Sequence, residues 1–140
     1  MTIELVPLAQ ARLKLGAPNM MPKGPKGTRM VVDIVSATWE GERLNAKQAK
    51  GPSGDWALVG SDGTLFVDVR ATLETHDGAL ILVTYNGRAD YSQGSPEAIY
   101  GAPTFETSDA RYLWLNKVQA VAKGKSDGAG GLVYDIFEVR

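Results

Sequence analysis

Apolar and polar residues alternate with a period of two along much of this chain, the spacing of strands whose successive side chains face opposite ways. In Thr64 to Arg70, Leu65, Val67 and Val69 share one face, and Thr64, Phe66, Asp68 and Arg70 share the other. In Tyr112 to Val121 one face holds Tyr112, Trp114, Asn116, Val118 and Ala120; the other holds Leu113, Leu115, Lys117, Gln119 and Val121. Ala79 to Asn86 is apolar on both faces for most of its length, which predicts a sheet covered on both sides. No long stretch keeps a helical period with a cap at each end.

Glycine and proline cut the pattern into short pieces. The predicted strands are Ile3 to Leu15, bulged or broken at Pro7; Thr28 to Glu40; one starting within Gly41 to Ala49; Asp55 to Val59; Thr64 to Thr75; Ala79 to Asn86; Pro103 to Ser108; Tyr112 to Gly124; and Gly131 to Arg140. Gly16 to Gly27 reads as a long loop. Gly87 to Ala102 reads as a long polar insertion with a helical turn at Pro96 to Tyr100, placed as a lid. Ser61-Asp62-Gly63 and His76-Asp77-Gly78 read as hairpin turns, because Asp-Gly supplies the positive φ that tight hairpins need. Ser126 to Gly131 reads as a flexible turn rather than a dinucleotide loop, since no helix follows it.

About nine strands joined by hairpin-length connections pair antiparallel, and such a meander closes readily into a barrel. The predicted fold is all-β: one domain over residues 1–140, a single antiparallel barrel with a central pocket. The lack of a βα alternation argues against a nucleotide-binding α/β fold.

Composition narrows the chemistry. The 140 residues suit one domain with an adequate core. There is no cysteine, which excludes disulfides, thiolate nucleophiles and cysteine metal sites and fits a cytoplasmic location. The start shows no basic and apolar leader, and no run is long enough to span a membrane. Fifteen basic and 16 acidic residues are interspersed for a net charge of −1, so no nucleic-acid partner is expected. His76 is the only histidine; it sits before a tight turn, where solvation is its ordinary fate, and it cannot make a two-histidine metal site. No metal or cofactor is expected.

Candidate site residues come from the strand faces. Asp68 and Arg70 share a face with Phe66 in mid-strand. They are either an ion pair on the outside of the barrel or a pocket pair, with Arg70 holding a carbonyl or carboxylate oxygen and Asp68 moving a proton. Trp114 and Asn116 point the same way: either an indole wall beside an amide for a planar ligand, or a core residue and a rim residue bonded to backbone. Asp33, in an otherwise apolar strand, is either an inward proton shuttle or solvent-facing. Tyr85, Tyr100, Tyr112 and Tyr134 can each donate to an oxyanion. The expected set is Asp68, Arg70 and Asp33 for catalysis, with Phe66, Tyr85, Tyr112, Trp114 and Asn116 around the substrate.

Several segments together resemble the bacterial and fungal family catalogued as domain of unknown function 3237: Gly27 to Ile34 (GTR-VV-I), Gly54 to Val59 (GDW-LV), Ser61 to Arg70 (SDGTLFVDVR), Thr75 to Ile81 (T-DGALI), Phe105 to Asn116 (FET-DARYLWLN) and Val133 to Val139 (VYDIFEV). Ser36 to Gly41 and His76 depart from the family's pattern, and Tyr85 to Tyr100 follows no strong pattern. The resemblance implies a small calycin-like barrel and leaves the chemistry open.

Two main functional classes remain. One is a cofactor-independent enzyme doing proton-transfer chemistry (isomerisation, cyclisation, or hydration and dehydration) on a small, largely apolar carbonyl compound. The other is a non-catalytic binder of a small hydrophobic ligand, which predicts an apolar lumen with Asp68 and Arg70 outside the barrel. A filled structural barrel, without a ligand-sized cavity, is the third. A homo-oligomer is expected from an outer face carrying Leu113, Leu115 and Val121.

Overall fold

The computed structural model describes residues 1–140. It holds eleven strands: β1 (Leu5–Leu15), β2 (Asn19–Gly24), β3 (Gly27–Glu40), β4 (Ala46–Gln48), β5 (Gly54–Val59), β6 (Thr64–Thr75), β7 (Leu80–Asp90), β8 (Ile99–Gly101), β9 (Thr104–Glu106), β10 (Ala120–Ser126) and β11 (Gly131–Val139), with a 3-10 helix at Leu113–Lys117 between β9 and β10. Eight of them form a closed antiparallel ring: β6, β5, β3, β1, β11, β10, β8, β7 and back to β6. The other three, β2, β4 and β9, extend it.

Two positions in the wall are shared. Between β3 and β6, β5 covers one half of the barrel's height and β4 the other. Residues 49–53 connect them as a break in the wall. Beside β7, β8 and β9 divide the height in the same way. The long partners β6 and β7 pair over eleven residues, joined by the tight turn in which Gly78 takes φ 92°. That conformation is open to glycine at no steric penalty.

The inner faces follow from alternation and one bulge. On β6, Leu65, Val67, Val69, Ala71 and Leu73 are buried while Phe66, Asp68, Arg70 and Glu74 are exposed. On β3 the pairing with β1 slips between Lys14 and Leu15, skipping Val35. The buried set therefore changes parity from Met30 and Ile34 to Ala37 and Trp39, as a β-bulge requires. One end of the barrel is sealed by Leu8, Leu44, Leu73, Ile81 and Leu115, all at most 2% exposed. Towards the other end the apolar residues Leu15, Val32, Val59, Ala89, Ile99 and Leu132 are only half-buried. That rim is the less tightly closed end.

Three expectations are corrected. Gly16 to Gly27 is not a loop: β2 lies within it and pairs with β3 as a projecting arm. Gly87 to Ala102 is not a single insertion: β7 runs on to Asp90, and the chain returns as β8, pairing Gly87 with Gly101 and Arg88 with Tyr100, which leaves residues 91–98 as the loop between them. Tyr112 to Gly124 is not one strand. Its first part forms i to i+3 bonds, Leu115 N–H to Tyr112 C=O (2.9 Å) and Val118 N–H to Leu115 C=O (3.1 Å). Tyr112, Leu115 and Val118, three apart, are all buried: a period of three suits a 3-10 turn. With Leu115 buried and Val121 half-buried, the outer apolar stripe expected to seat a partner is not there.

Candidate active site in the barrel lumen

The inner wall is apolar except for a few groups that the pairing brings together. Asp55 on β5 is cross-strand from Val69 on β6, and Val69 is cross-strand from Tyr85 on β7, so the three form one row around the wall. Tyr134, on β11, reaches in from a non-adjacent strand and meets Tyr85 edge to face, with ring centroids 5.7 Å apart and planes at 66°. Both rings need glycine beside them. A Cβ on Gly124 would strike the Tyr134 ring, and one on Gly101 would lie 3.2 Å from Tyr85 Cδ2.

Burial sets the protonation of this group. Taking the Asp55 carboxyl out of water disfavours its charged form and raises its pKa from 3.8 to about 6. The Asp68 backbone N–H, which donates to Asp55 Oδ1 at 2.9 Å, limits the rise, and the Asp68 charge adds slightly to it. Burial also drives both phenols upward, Tyr134 to about 12 and Tyr85 well above the usual value; the neighbouring phenol and the Asp55 charge reinforce the effect on Tyr85. Near neutral pH, then, the tyrosines keep their protons as donors, while Asp55 is the group poised to exchange one.

Tyr85 and Tyr134 also line a mid-barrel cavity with Leu13, Ile34, Trp39 and Gln48. Its volume is ≈ 20 Å³, room for about one water. Gln48, the last residue of β4, donates from Nε2 to the Ile34 carbonyl at 2.8 Å, while its buried Oε1 has no partner. Ser53, 6% exposed, accepts the Ile34 N–H at its carbonyl (3.1 Å), and its Oγ is likewise unpartnered. Gln48, Ser53 and Asp55 thus follow one another along the split β4–β5 position of the wall.

The family model described as a protein of unknown function (DUF3237) matches residues 3–139. The chain belongs to this family. A relative of known activity, the hydroalkoxylation enzyme phnH of Penicillium herquei, is 35% identical over 78 residues, covering 50% of this chain and 46% of the relative. The chain thus aligns with less than half the length of that enzyme. Among solved structures, a β-barrel-like protein from Acinetobacter baumannii AYE superposes with a TM-score of 0.87 at 27% identity, over 100% of this chain and 98% of the other. A conserved protein of unknown function from Rhodopseudomonas palustris matches at 0.87 and 20%, over 100% and 99%. An enzyme from Penicillium herquei matches at 0.76 and 24%, over 99% and 94%. The last two likenesses speak for the fold alone.

The residues expected from sequence are dispersed. Asp68, Arg70 and Phe66 lie on the outer face of β6, and Asp33 on the outer face of β3; Arg88 stacks over the Phe66 ring at 5.4 Å. The alternation that turns Val67 and Val69 inward necessarily turns these outward. Tyr85 is in the lumen. Tyr112 is buried at the sealed end, its hydroxyl donating to Asp77 Oδ1 at 2.7 Å. Trp114 is half-buried beneath Arg43, 4.9 Å from the ring. Asn116 clamps a backbone, accepting from Thr107 N–H (2.8 Å) and donating to Thr107 C=O (2.9 Å). Asp55 and Gln48 were missed. The hairpin register held the signal for Asp55: the Ser61–Gly63 turn pairs Val59 with Leu65 and therefore Asp55 with the inward Val69.

Proposed function

We propose that this protein is an enzyme that shuttles a proton during addition of a hydroxyl to a carbon–carbon double bond conjugated to a carbonyl, or the reverse elimination, on a small, largely apolar compound. The observation that carries the reading is Asp55, a half-buried carboxyl on the inner wall in one row with Tyr85, where partial loss of water raises its pKa to about 6 while Tyr85 and Tyr134 stay protonated. In the addition direction Asp55 takes the hydroxyl proton, and the oxygen bonds to the far alkene carbon. The electron pair moves to the carbonyl oxygen, where Tyr85 and Tyr134 donate to the enolate. Asp55 then returns the proton to the near carbon. One O–H and one C=C become one C–O and one C–H, with no net redox change. Hydroalkoxylation, the activity in the name of the partial relative phnH, is an addition of this type.

The test is ring closure of 2′-hydroxychalcone to flavanone, within a panel of hydroxy-enones. Asp55→Asn is expected to lower kcat/KM by a factor on the order of 10²–10⁴. Wild-type rate should rise through about pH 6 as Asp55 ionises. An Asp55→Asn variant that closes the ring at the full rate would refute the proposal.

A second reading has its own support. The cavity of ≈ 20 Å³ is far below the several hundred Å³ of ordinary ligand pockets, and Asp68 and Arg70 lie outside the barrel. The small cavity fits a barrel filled by its own side chains, and the outward Asp68 and Arg70 fit the non-catalytic binder of a small hydrophobic ligand. Neither alternative gives the half-buried Asp55 carboxyl, with its raised pKa, a part to play, which is why the enzymatic reading is preferred.

A further inference from the structure

The reaction proposed above leaves part of the lumen unused. Gln48 reaches the cavity from the end of β4, and its amide orientation is fixed because Nε2 is committed to the Ile34 carbonyl at 2.8 Å. Oε1 is left buried with no donor. Buried acceptors in folded proteins are almost always paired, so an orphan on a residue that lines a cavity calls for a donor supplied from outside the chain. The other walls here are apolar apart from the two tyrosines, whose hydroxyls stay protonated. The space beside Gln48, ≈ 20 Å³, suits one O–H group and little more. Ser53 Oγ, also buried and unpartnered, stands farther along the same wall position.

We infer that Gln48 Oε1 is a specificity-determining acceptor for a hydroxyl of the ligand, the inner anchor of a compound whose body lies towards Tyr85, Tyr134 and the less tightly closed end. The ligand class is then a hydroxylated, otherwise apolar ring compound, phenolic or alcoholic, and not a hydrocarbon or an amine cation. Water is the ordinary occupant that such a hydroxyl displaces. The inference rests on the lumen being the ligand site but not on any chemistry taking place there.

Phenol and toluene, nearly equal in shape and differing in one O–H, are the probes. Their affinities for the full chain are compared by ligand-observed NMR with Gln48→Met, Gln48→Leu and Asp68→Asn alongside, folding being checked by circular dichroism. Wild type is expected to bind phenol at least tenfold tighter than toluene. Gln48→Met should abolish that preference while still binding toluene; Gln48→Leu serves if Gln48→Met does not fold. Asp68→Asn, on the outer face of β6, should keep it. Equal binding of the two by wild type, a preference that survives loss of the Gln48 amide, or no binding of either would overturn the inference. A Gln48-dependent preference with no turnover of any hydroxy-enone would leave the acceptor standing and sink the catalytic proposal alone.

Discussion

At Asp55 the folded protein binds a proton more tightly than the unfolded chain, because burial raises the carboxyl from 3.8 to about 6. The sign follows from linkage: the stability this group confers is fully present below pH 3.8 and is lost as pH rises through about 6. Above that, the barrel holds a partly desolvated anion at a cost of roughly 2–3 kcal/mol. Asp55→Asn keeps an acceptor for the Asp68 N–H and removes the charge, so it should be more stable than wild type at about pH 8, with the gain shrinking towards pH 4; urea unfolding at both values reads this directly. A group that weakens the fold while being placed to exchange protons is the pattern of a functional residue. The outer-face residues predict the opposite behaviour. Asp33→Ala, Asp68→Ala and Arg70→Ala should each change stability by no more than about 0.5 kcal/mol and leave ring closure unchanged, as checked by thermal unfolding and the flavanone assay. Residue identity alone could not separate the two groups. Asp68 and Asp55 both sit in alternating strands, and only the register that opposes Asp55 to Val69 turns one inward.

Among the elements, β10 supplies room rather than side chains. Gly124 leaves space for the Tyr134 ring, so Gly124→Ala should destabilise by about 1–3 kcal/mol, lower the melting temperature and alter the near-ultraviolet circular dichroism as Tyr134 is displaced. The 3-10 turn works differently. Asn116 joins it to Thr107 with two hydrogen bonds, and Asn116→Leu should lose on the order of 1–3 kcal/mol without changing kcat/KM. A fall in kcat/KM at unchanged stability would instead restore the ligand role that the sequence suggested for Asn116. The alternation of β6 was legible because every inward residue from Leu65 to Leu73 is apolar. The 3-10 turn was not, since residues 112–121 satisfy a period of two almost as well as the period of three they adopt. The β2 arm was hidden for another reason: its residues are all exposed, so it shows no buried face, and it exists only through its ladder with β3.

For the molecule as a whole, closure is the decisive property. Antiparallel alternation and hairpin turns made the all-β barrel readable from sequence, but the count of about nine strands fell short of eleven because β2 lay in the stretch read as a loop and β8 in the stretch read as an insertion. The first strand pairs with the last, Leu5 opposite Val139, so both chain ends are stitched into the wall. A chain cut after Gly130 would lose β11 and Tyr134 and expose two strand edges; it is expected to be insoluble or unfolded by circular dichroism. What closure secures is a shielded wall with a partly desolvated carboxyl on it. The most direct measurement of that claim is a ¹³C NMR titration of the Asp55 side-chain carboxyl, assigned by comparison with Asp55→Asn. A midpoint near 6 is predicted; a midpoint at or below the ordinary 3.8 would place Asp55 in full contact with water and contradict the proton transfer proposed for it.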